Sequence, residues 1–344
     1  MLNKYFILSA DCKLVDGPTR SIIYDLTRAS YNFIPNILHD ILTEDYTLSI
    51  GAVIQKYGEE NKAYIIEYFE FLLGKEYIYL TPNSEEHLRF PKISTDWTSP
   101  YKITNAIIDY KDKAHPIKSI IEQFEDLGSV HLEVRFFSEE CLSEIAKLAE
   151  AVAGSRIQSI SLLMPNSKQI NLEDLLNENR RIKQVTIYNA PKSSKDYINT
   201  IEIIQTTQCF TSEKCCGVIN KINFTINTNF FNESTHFNTC LNRKIAVDAD
   251  GNIKNCPSMK KSFGKIEETS FEEVLKEDAF KKNWNIRKSQ IDTCKVCEFR
   301  NMCLDCRAYL KDPSDIYSKP LKCTYDPYSG EWKERVVKKQ KAQS

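Results

Sequence analysis

Apolar and polar positions fall into three regimes along the chain. Over residues 1–92, short apolar runs at Tyr5-Phe-Ile-Leu and Ser21-Ile-Ile-Tyr-Asp-Leu read as strands. Pro35 then precedes a helix from Asn36 to Leu42, and a second helix is expected over Leu48 to Tyr57, stopped by Gly58. A third, from Ala63, carries Ile66, Phe69 and Leu73 at helical spacing and ends at Gly74. Tyr77 to Thr81 reads as a strand closed by Pro82. Short strands, three helices and a final strand form a winged-helix pattern. The polar stretch from Asn83 to Pro100, with Pro91 inside it, reads as a linker.

In the second regime, residues 101–234, strand and helix patterns alternate. Strands are expected over Ile103 to Tyr110, Val130 to Phe137, Ile157 to Met164 and Ile182 to Tyr188, with Glu202 to Gln205 and Ile222 to Ile226 as further ones. Helices are expected over Pro116 to Leu127, Cys141 to Val152 and Leu172 to Leu176. This alternation implies an α/β fold with parallel strands and right-handed crossovers. An eight-fold barrel needs about 250 residues, so a partial β/α barrel or open sheet is expected. The third regime, 235–330, has little periodicity, and a basic tail over 331–344 carries Lys333, Arg335, Lys338, Lys339 and Lys341. The tail reads as a solvated terminus.

Composition narrows the functional classes. The 344 residues carry 46 Lys and Arg against 47 Asp and Glu, a balance that argues against a nucleic-acid partner. No apolar run is long enough to span a membrane, and the first residues lack the pattern of a signal peptide. A cytoplasmic location is expected. Twelve cysteines in such a chain point to metal or redox chemistry rather than disulfides.

Most of those cysteines lie in the third regime. Cys240 is followed by ten residues, Gly251, four residues and Cys256; then come Cys294-x2-Cys297-x5-Cys303-x2-Cys306 and Cys323. Lys244-Ile-Ala-Val-Asp and Asn252-Ile-Lys-Asn flank Asp250-Gly251, a hairpin pattern that brings Cys240 and Cys256 together. Thiolates in close pairs wrap a soft metal or an iron–sulfur cluster. Seven of them suit two clusters better than two four-thiolate zinc sites, though structural zinc stays an alternative.

The pattern resembles the SPASM domain, which ends radical-SAM enzymes that modify ribosomal peptides and carries two auxiliary [4Fe–4S] clusters. By that resemblance Cys240, Cys256 and Cys306 would hold one cluster and Cys294, Cys297, Cys303 and Cys323 the other. Cys303 and Cys306 are separated by two residues where the family has three. The first cluster lacks a fourth ligand in this scheme: a substrate atom, His236, or one of Cys209, Cys215 and Cys216 could supply it, and for the three cysteines the simpler reading is surface thiols.

The same resemblance makes the middle region a degenerate radical-SAM core. There the loop after the first strand carries CxxxCxxC. Here it reads Lys111-Asp-Lys-Ala-His-Pro, and no CxxxCxxC occurs in the sequence. The usual GGEP after the second strand is replaced by Phe137-Ser-Glu-Glu-Cys. S-adenosylmethionine chemistry is therefore not expected, and whether the chain is itself an enzyme stays open.

The opening Ala10-Asp-Cys-Lys-Leu-Val-Asp-Gly and Arg20-Ser-Ile-Ile-Tyr-Asp-Leu-Thr-Arg is similar to peptide maturases of the grasp-with-spasm type. That resemblance implies a precursor peptide and an ATP-grasp ligase as partners, with leader-peptide recognition by the winged helix through an added strand. Ser30-Tyr-Asn-Phe-Ile is the candidate edge, so Tyr31, Phe33, Tyr64 and Tyr68 are candidate peptide contacts. Cys12 reads as a small buried residue. Walker, GxGxxG, HExxH and Gly-x-Ser-x-Gly motifs are all missing from the sequence.

Overall fold

The apolar runs between residues 105 and 205 become the centre of one large sheet. In the computed structural model, residues 1–90 and 92–333 are described, without the side chain of Cys141. Most of the expected basic tail, from residue 334 on, lies outside them.

The N-terminal unit has five strands: β1 (Tyr5–Leu8), β2 (Cys12–Val15), β3 (Ser21–Asp25), β4 (Ser30–Ile34) and β5 (Ile78–Thr81). β1 pairs antiparallel with β5, and β2, β3 and β4 form a second antiparallel sheet with β4 at its edge. Three helices lie between β4 and β5: α1 (Asn36–Glu44), α2 (Ile50–Tyr57) and α3 (Lys62–Gly74). The Ser49 hydroxyl caps α2 by accepting from the Ala52 amide at 3.2 Å. On α3 the buried stripe is Ile65, Phe69 and Leu72, while Ile66 and Leu73 are only partly buried. The stripe is thus shifted by one residue at two of its three expected positions, because Phe69 turns its face of the helix onto Phe6, ring centroids 5.0 Å apart.

β3 is buried along its whole length and serves two cores. Ile23 faces the helices, with Phe6, Leu38 and Val53. Ile22 and Tyr24 face the cysteine-rich region, with Phe231, Phe299, Met302 and Tyr325. A strand covered on both faces has to read as a continuous apolar run, as Ile22-Ile-Tyr does.

The main sheet has eight strands. These are β6 (Asn105–Tyr110), β7 (His131–Phe136), β8 (Ser159–Pro165), β9 (Ile182–Tyr188), β10 (Ser194–Ile198), β11 (Ile201–Gln205), β12 (Lys244–Val247) and β13 (Ile253–Lys254). Their order is β10-β11-β9-β8-β7-β6-β12-β13, parallel except for the antiparallel pairs at the two edges. The sheet is a partial barrel, as the sequence pattern implies. It also crosses the expected boundary near residue 234, since β12 pairs with β6.

Helices α4 (Ile117–Asp126) and α5 (Glu144–Ala153) cover one face, packing Ile120, Phe124, Ile145 and Leu148 on Ile108, Val134 and Leu162. A short helix, α6 (Leu172–Glu178), follows β8, its amides at Glu173 and Asp174 capped by Asn171. The other face is more polar. There Arg135 of β7 and Asp109 of β6 are register partners joined by two hydrogen bonds of 2.7 and 2.8 Å, both side chains almost fully buried.

Residues 222–226 do not form the expected strand. Asn220 accepts from the Ile222 and Asn223 amides and starts a three-ten turn instead, leaving Ile222 91% exposed. Next comes α7 (Thr228–His236), against which the polar linker is pinned by bonds from Trp97 to Asn229 (2.9 Å) and from His236 to the Thr95 carbonyl (3.0 Å). After the β12–β13 hairpin stand α8 (Phe271–Lys276), α9 (Asp278–Lys281) and a run of turns. β14 (Tyr325–Asp326) and β15 (Glu331–Trp332) close the described chain. No helix among the described residues is long and apolar enough to cross a membrane.

Candidate metal centre

The hairpin does what its sequence implies. Gly251 takes φ +82°, and the Asp248 carboxylate ties the turn by accepting from the amides of Asp250 (3.0 Å) and Asn252 (2.8 Å). Asn255 stitches its open end, donating to the carbonyls of Leu241 (3.0 Å) and Lys244 (2.7 Å). Cys240, just before β12, and Cys256, just after β13, are thereby drawn to one place.

Asn238 fixes the approach to Cys240. It is fully buried, accepts from the Cys240 (3.0 Å) and Leu241 (2.8 Å) amides, and donates to Asp305 at 2.7 Å. Asp305 is itself fully buried between Cys303 and Cys306, and it also accepts from Arg307 at 2.6 Å. One polar network therefore orders three of the seven cysteines.

The thiols influence one another in two groups. Burial, opposed by Lys244 and reinforced by charge on Cys256, Cys216 and Cys306, pushes the Cys240 thiol up to about 12. Burial lifts Cys256 to about 11, with Lys244 opposing and Cys216 reinforcing. In the second group, burial lifts Cys303 to about 11 against Lys288, with Cys323 and Cys294 adding to the rise. Burial also raises Cys294 and Cys297, and charge on Cys303 adds to the rise at Cys297. Among the described residues, no three His, Cys, Asp or Glu groups are close enough to hold a single metal ion.

Two lysines that the sequence did not single out stand on sulfurs, Lys244 half-buried and Lys288 buried. Lys244 Nζ lies 3.7 Å from Cys240 Sγ, and Lys288 Nζ lies 3.4 Å from Cys303 Sγ. Several soft thiol donors with one fixed cation fit an anionic iron–sulfur cluster, whose charge and sulfur hydrogen bonds such a cation complements. The raised thiols are protonated at neutral pH, so binding must displace their protons.

The remaining candidates are dispersed. His236, considered as an iron ligand, is turned to the Thr95 carbonyl. Cys209 is exposed, and Cys12 is buried in the N-terminal core. Tyr31 and Phe33 meet edge to face at 5.6 Å and pack against Phe299 at 6.1 and 5.9 Å. The Arg20 guanidinium lies 3.6 Å from the centre of the Phe33 ring. Tyr64 is 62% exposed on α3, whereas Tyr68 leans on the core. At the end of β6, the loop that replaces the cysteine motif borders a cavity of about 280 Å³ lined by Lys111, Asp112, Lys113, Ala114, Glu140 and Glu144.

Residues 239–298 match the SPASM family, described as an iron–sulfur cluster-binding domain. The chain therefore carries a SPASM domain, and the match ends before Cys303, Cys306 and Cys323. No curated protein matches the sequence. Among solved structures the chain is similar to Streptococcus suis SuiB, at 13% identity and a TM-score of 0.38 over 92% of this chain and 100% of that one. For SuiB bound to S-adenosylmethionine the values are 12%, 0.36, 92% and 98%; for SuiB bound to precursor peptide SuiA they are 13%, 0.30, 88% and 96%.

Proposed function

We propose that this SPASM-bearing chain is a maturation factor for a ribosomally made peptide, holding two [4Fe–4S] clusters in the cytoplasm. Cys240, Cys256 and Cys306 serve one cluster; Cys294, Cys297, Cys303 and Cys323 serve the other. The observation that supports this reading is the SPASM match over residues 239–298, joined by a lysine ammonium 3.7 Å from Cys240 Sγ and another 3.4 Å from Cys303 Sγ. When bound, the clusters supply reversible one-electron chemistry and hold together a region of short turns.

The N-terminal unit, residues 1–92, recognises the precursor. Among the described residues β4 pairs with β3 alone, and an extended peptide adds to its other edge as a fourth strand. Residues 101–234 act as a scaffold without S-adenosylmethionine chemistry: the loop after β6 brings Lys111 and His115 where cysteines would be needed, and His115 is buried with Nε2 on the Asp109 carbonyl at 2.9 Å. The bond-forming step falls to an ATP-grasp ligase partner.

Co-expression of the chain with such a ligase and its precursor peptide, read by mass spectrometry, tests this reading. The precursor is expected to be modified only when the chain is present. Equal modification without the chain would overturn the proposal.

A further inference from the structure

A cavity of about 430 Å³ opens beside Cys323, and lysines border it. Building on the cluster reading above, we propose that this cavity is the docking surface for an acidic electron-carrier protein, which passes one electron at a time to the second cluster by way of Cys323.

Two short antiparallel pairings set the lysines around it. Residues 309–311 run against 319–321: Leu310 bridges Pro320, the Lys311 amide donates to the Lys319 carbonyl at 2.9 Å, and the Leu321 amide donates to the Tyr309 carbonyl at 2.9 Å. Buried Arg307 holds the intervening loop, donating to the carbonyls of Ile316 (3.2 Å) and Ser318 (2.8 Å). β14 pairs with β15, and just beyond it the Lys333 amide donates to the Thr324 carbonyl at 3.0 Å. Lys311, Lys319 and Lys333 thereby line one cavity with Asp326 as the only carboxylate in its lining. Asp326 lies 3.4 Å from Lys333. The Lys319 ammonium donates to the Tyr325 carbonyl, which leaves its charge uncancelled. Lys311 is exposed and forms no ion pair among the described residues, while its neighbour Asp312 accepts from the Ser314 hydroxyl at 2.7 Å. In sequence the cations continue past Lys333, as Arg335, Lys338, Lys339 and Lys341 against Glu334.

The surface suits a redox contact. Cys294 and Cys303 are buried, whereas Cys323 is half-buried and lines the cavity. Leu321 and Tyr328, 57% and 63% exposed, line it too and stand among the lysines. Uncancelled lysines draw in a negatively charged partner, and exposed apolar side chains give it contact on arrival. Redox encounters bury little area, and a cavity on a cluster ligand shortens the path the electron crosses. The carrier is oxidised by one electron and the second cluster is reduced by one; no bond forms or breaks. An acidic peptide would answer the same charge but would have no use for Cys323.

The test uses the iron-loaded chain and flavodoxin, an acidic flavin protein. Calorimetry with oxidised flavodoxin reads binding without electron transfer. Stopped-flow absorbance after mixing with flavodoxin hydroquinone, which becomes the semiquinone, reads the transfer. Both are expected to weaken as salt rises from roughly 0.01 M to roughly 0.15 M. Lys311→Glu combined with Lys333→Glu is expected to slow the low-salt transfer at least about tenfold. Lys118→Glu combined with Lys168→Glu, the same charge change at two exposed lysines elsewhere, is expected to leave it unchanged. Binding and transfer that ignore salt in wild type, or that fall equally in both double variants, would overturn the proposal. So would a glutamate-rich peptide that binds the chain while flavodoxin does not. Iron-free wild type would instead overturn the cluster reading beneath it, so wild-type iron content tells the two failures apart.

Discussion

The Lys288 ammonium is enclosed with the Cys303 sulfur, 3.4 Å away, in an interior that leaves the lysine 4% exposed. Burial works against its charge, but charge on Cys303, Cys294 and Asp305 more than offsets this and holds its pKa above the ordinary lysine value. A fixed cation beside a ligand favours the reduced, more negative state of a cluster. Lys288→Met should therefore shift the second cluster to a more negative potential, on the order of 100 mV within the span such clusters cover. The first cluster, with Lys244, should not move. A redox titration followed by electron paramagnetic resonance checks both halves.

Asp305 links the loop before Cys240 to Arg307 and Lys288. Its carboxylate accepts from Asn238 and Arg307 and lies 3.9 Å from Lys288, so Asp305→Ala strands two buried cations and frees the loop before Cys240. Removing one partner of a buried ion pair costs about 3–5 kcal/mol. Urea unfolding of the metal-free protein should show a loss of that size, and iron uptake should fall at both sites together.

The N-terminal unit is tied to the cysteine-rich region through Glu298. Its fully buried side chain accepts from Arg20 at 3.2 Å and from the Tyr325 hydroxyl. Arg20→Ala should destabilise the protein by about 2 kcal/mol, the scale of a hydrogen bond to a charged group. It should also loosen Phe33, over which the guanidinium lies. Denaturant titration measures the first effect and tyrosine–phenylalanine NMR contacts the second.

The hairpin carries its own pH dependence. Burial alone would raise Asp248, but Lys254 at 2.7 Å and the Asn252 donors hold its carboxyl below the usual carboxylate range. A depressed carboxylate stabilises the fold above its unfolded pKa of about 3.9 and loses that contribution as pH falls through the lower folded value. Asp248→Asn should cost about 1–2 kcal/mol at pH 7. The gap from wild type should close as pH falls below roughly 4. Unfolding curves across that range decide it.

Tyr64 projects into solvent from α3 and fills no core position. Tyr64→Ala should leave stability within about 0.5 kcal/mol of wild type. It should weaken precursor binding by about 1–2 kcal/mol if the residue is a peptide anchor. Calorimetry against the precursor peptide separates the two effects.

The parallel sheet was legible because β6 to β9 are apolar enough to be read without context, and the hairpin because Asp250-Gly251 leaves the backbone little choice. Other features depended on tertiary placement. Lys244 and Lys288 look like surface lysines in sequence, and only their placement beside a sulfur distinguishes them. Ile222 to Ile226 alternates like a strand, but Asn220 captures the following amides first. The fully buried Asn238 carried a local signal in its place two residues before Cys240.

Iron, sulfide and zinc content of the full chain purified without oxygen, together with its visible absorption, tests the central claim most directly. The account predicts about eight irons with matching sulfide per chain and the broad absorption of iron–sulfur clusters. One or two zincs, no sulfide and no visible band would contradict it, and would make the thiols structural staples of a peptide-binding adaptor.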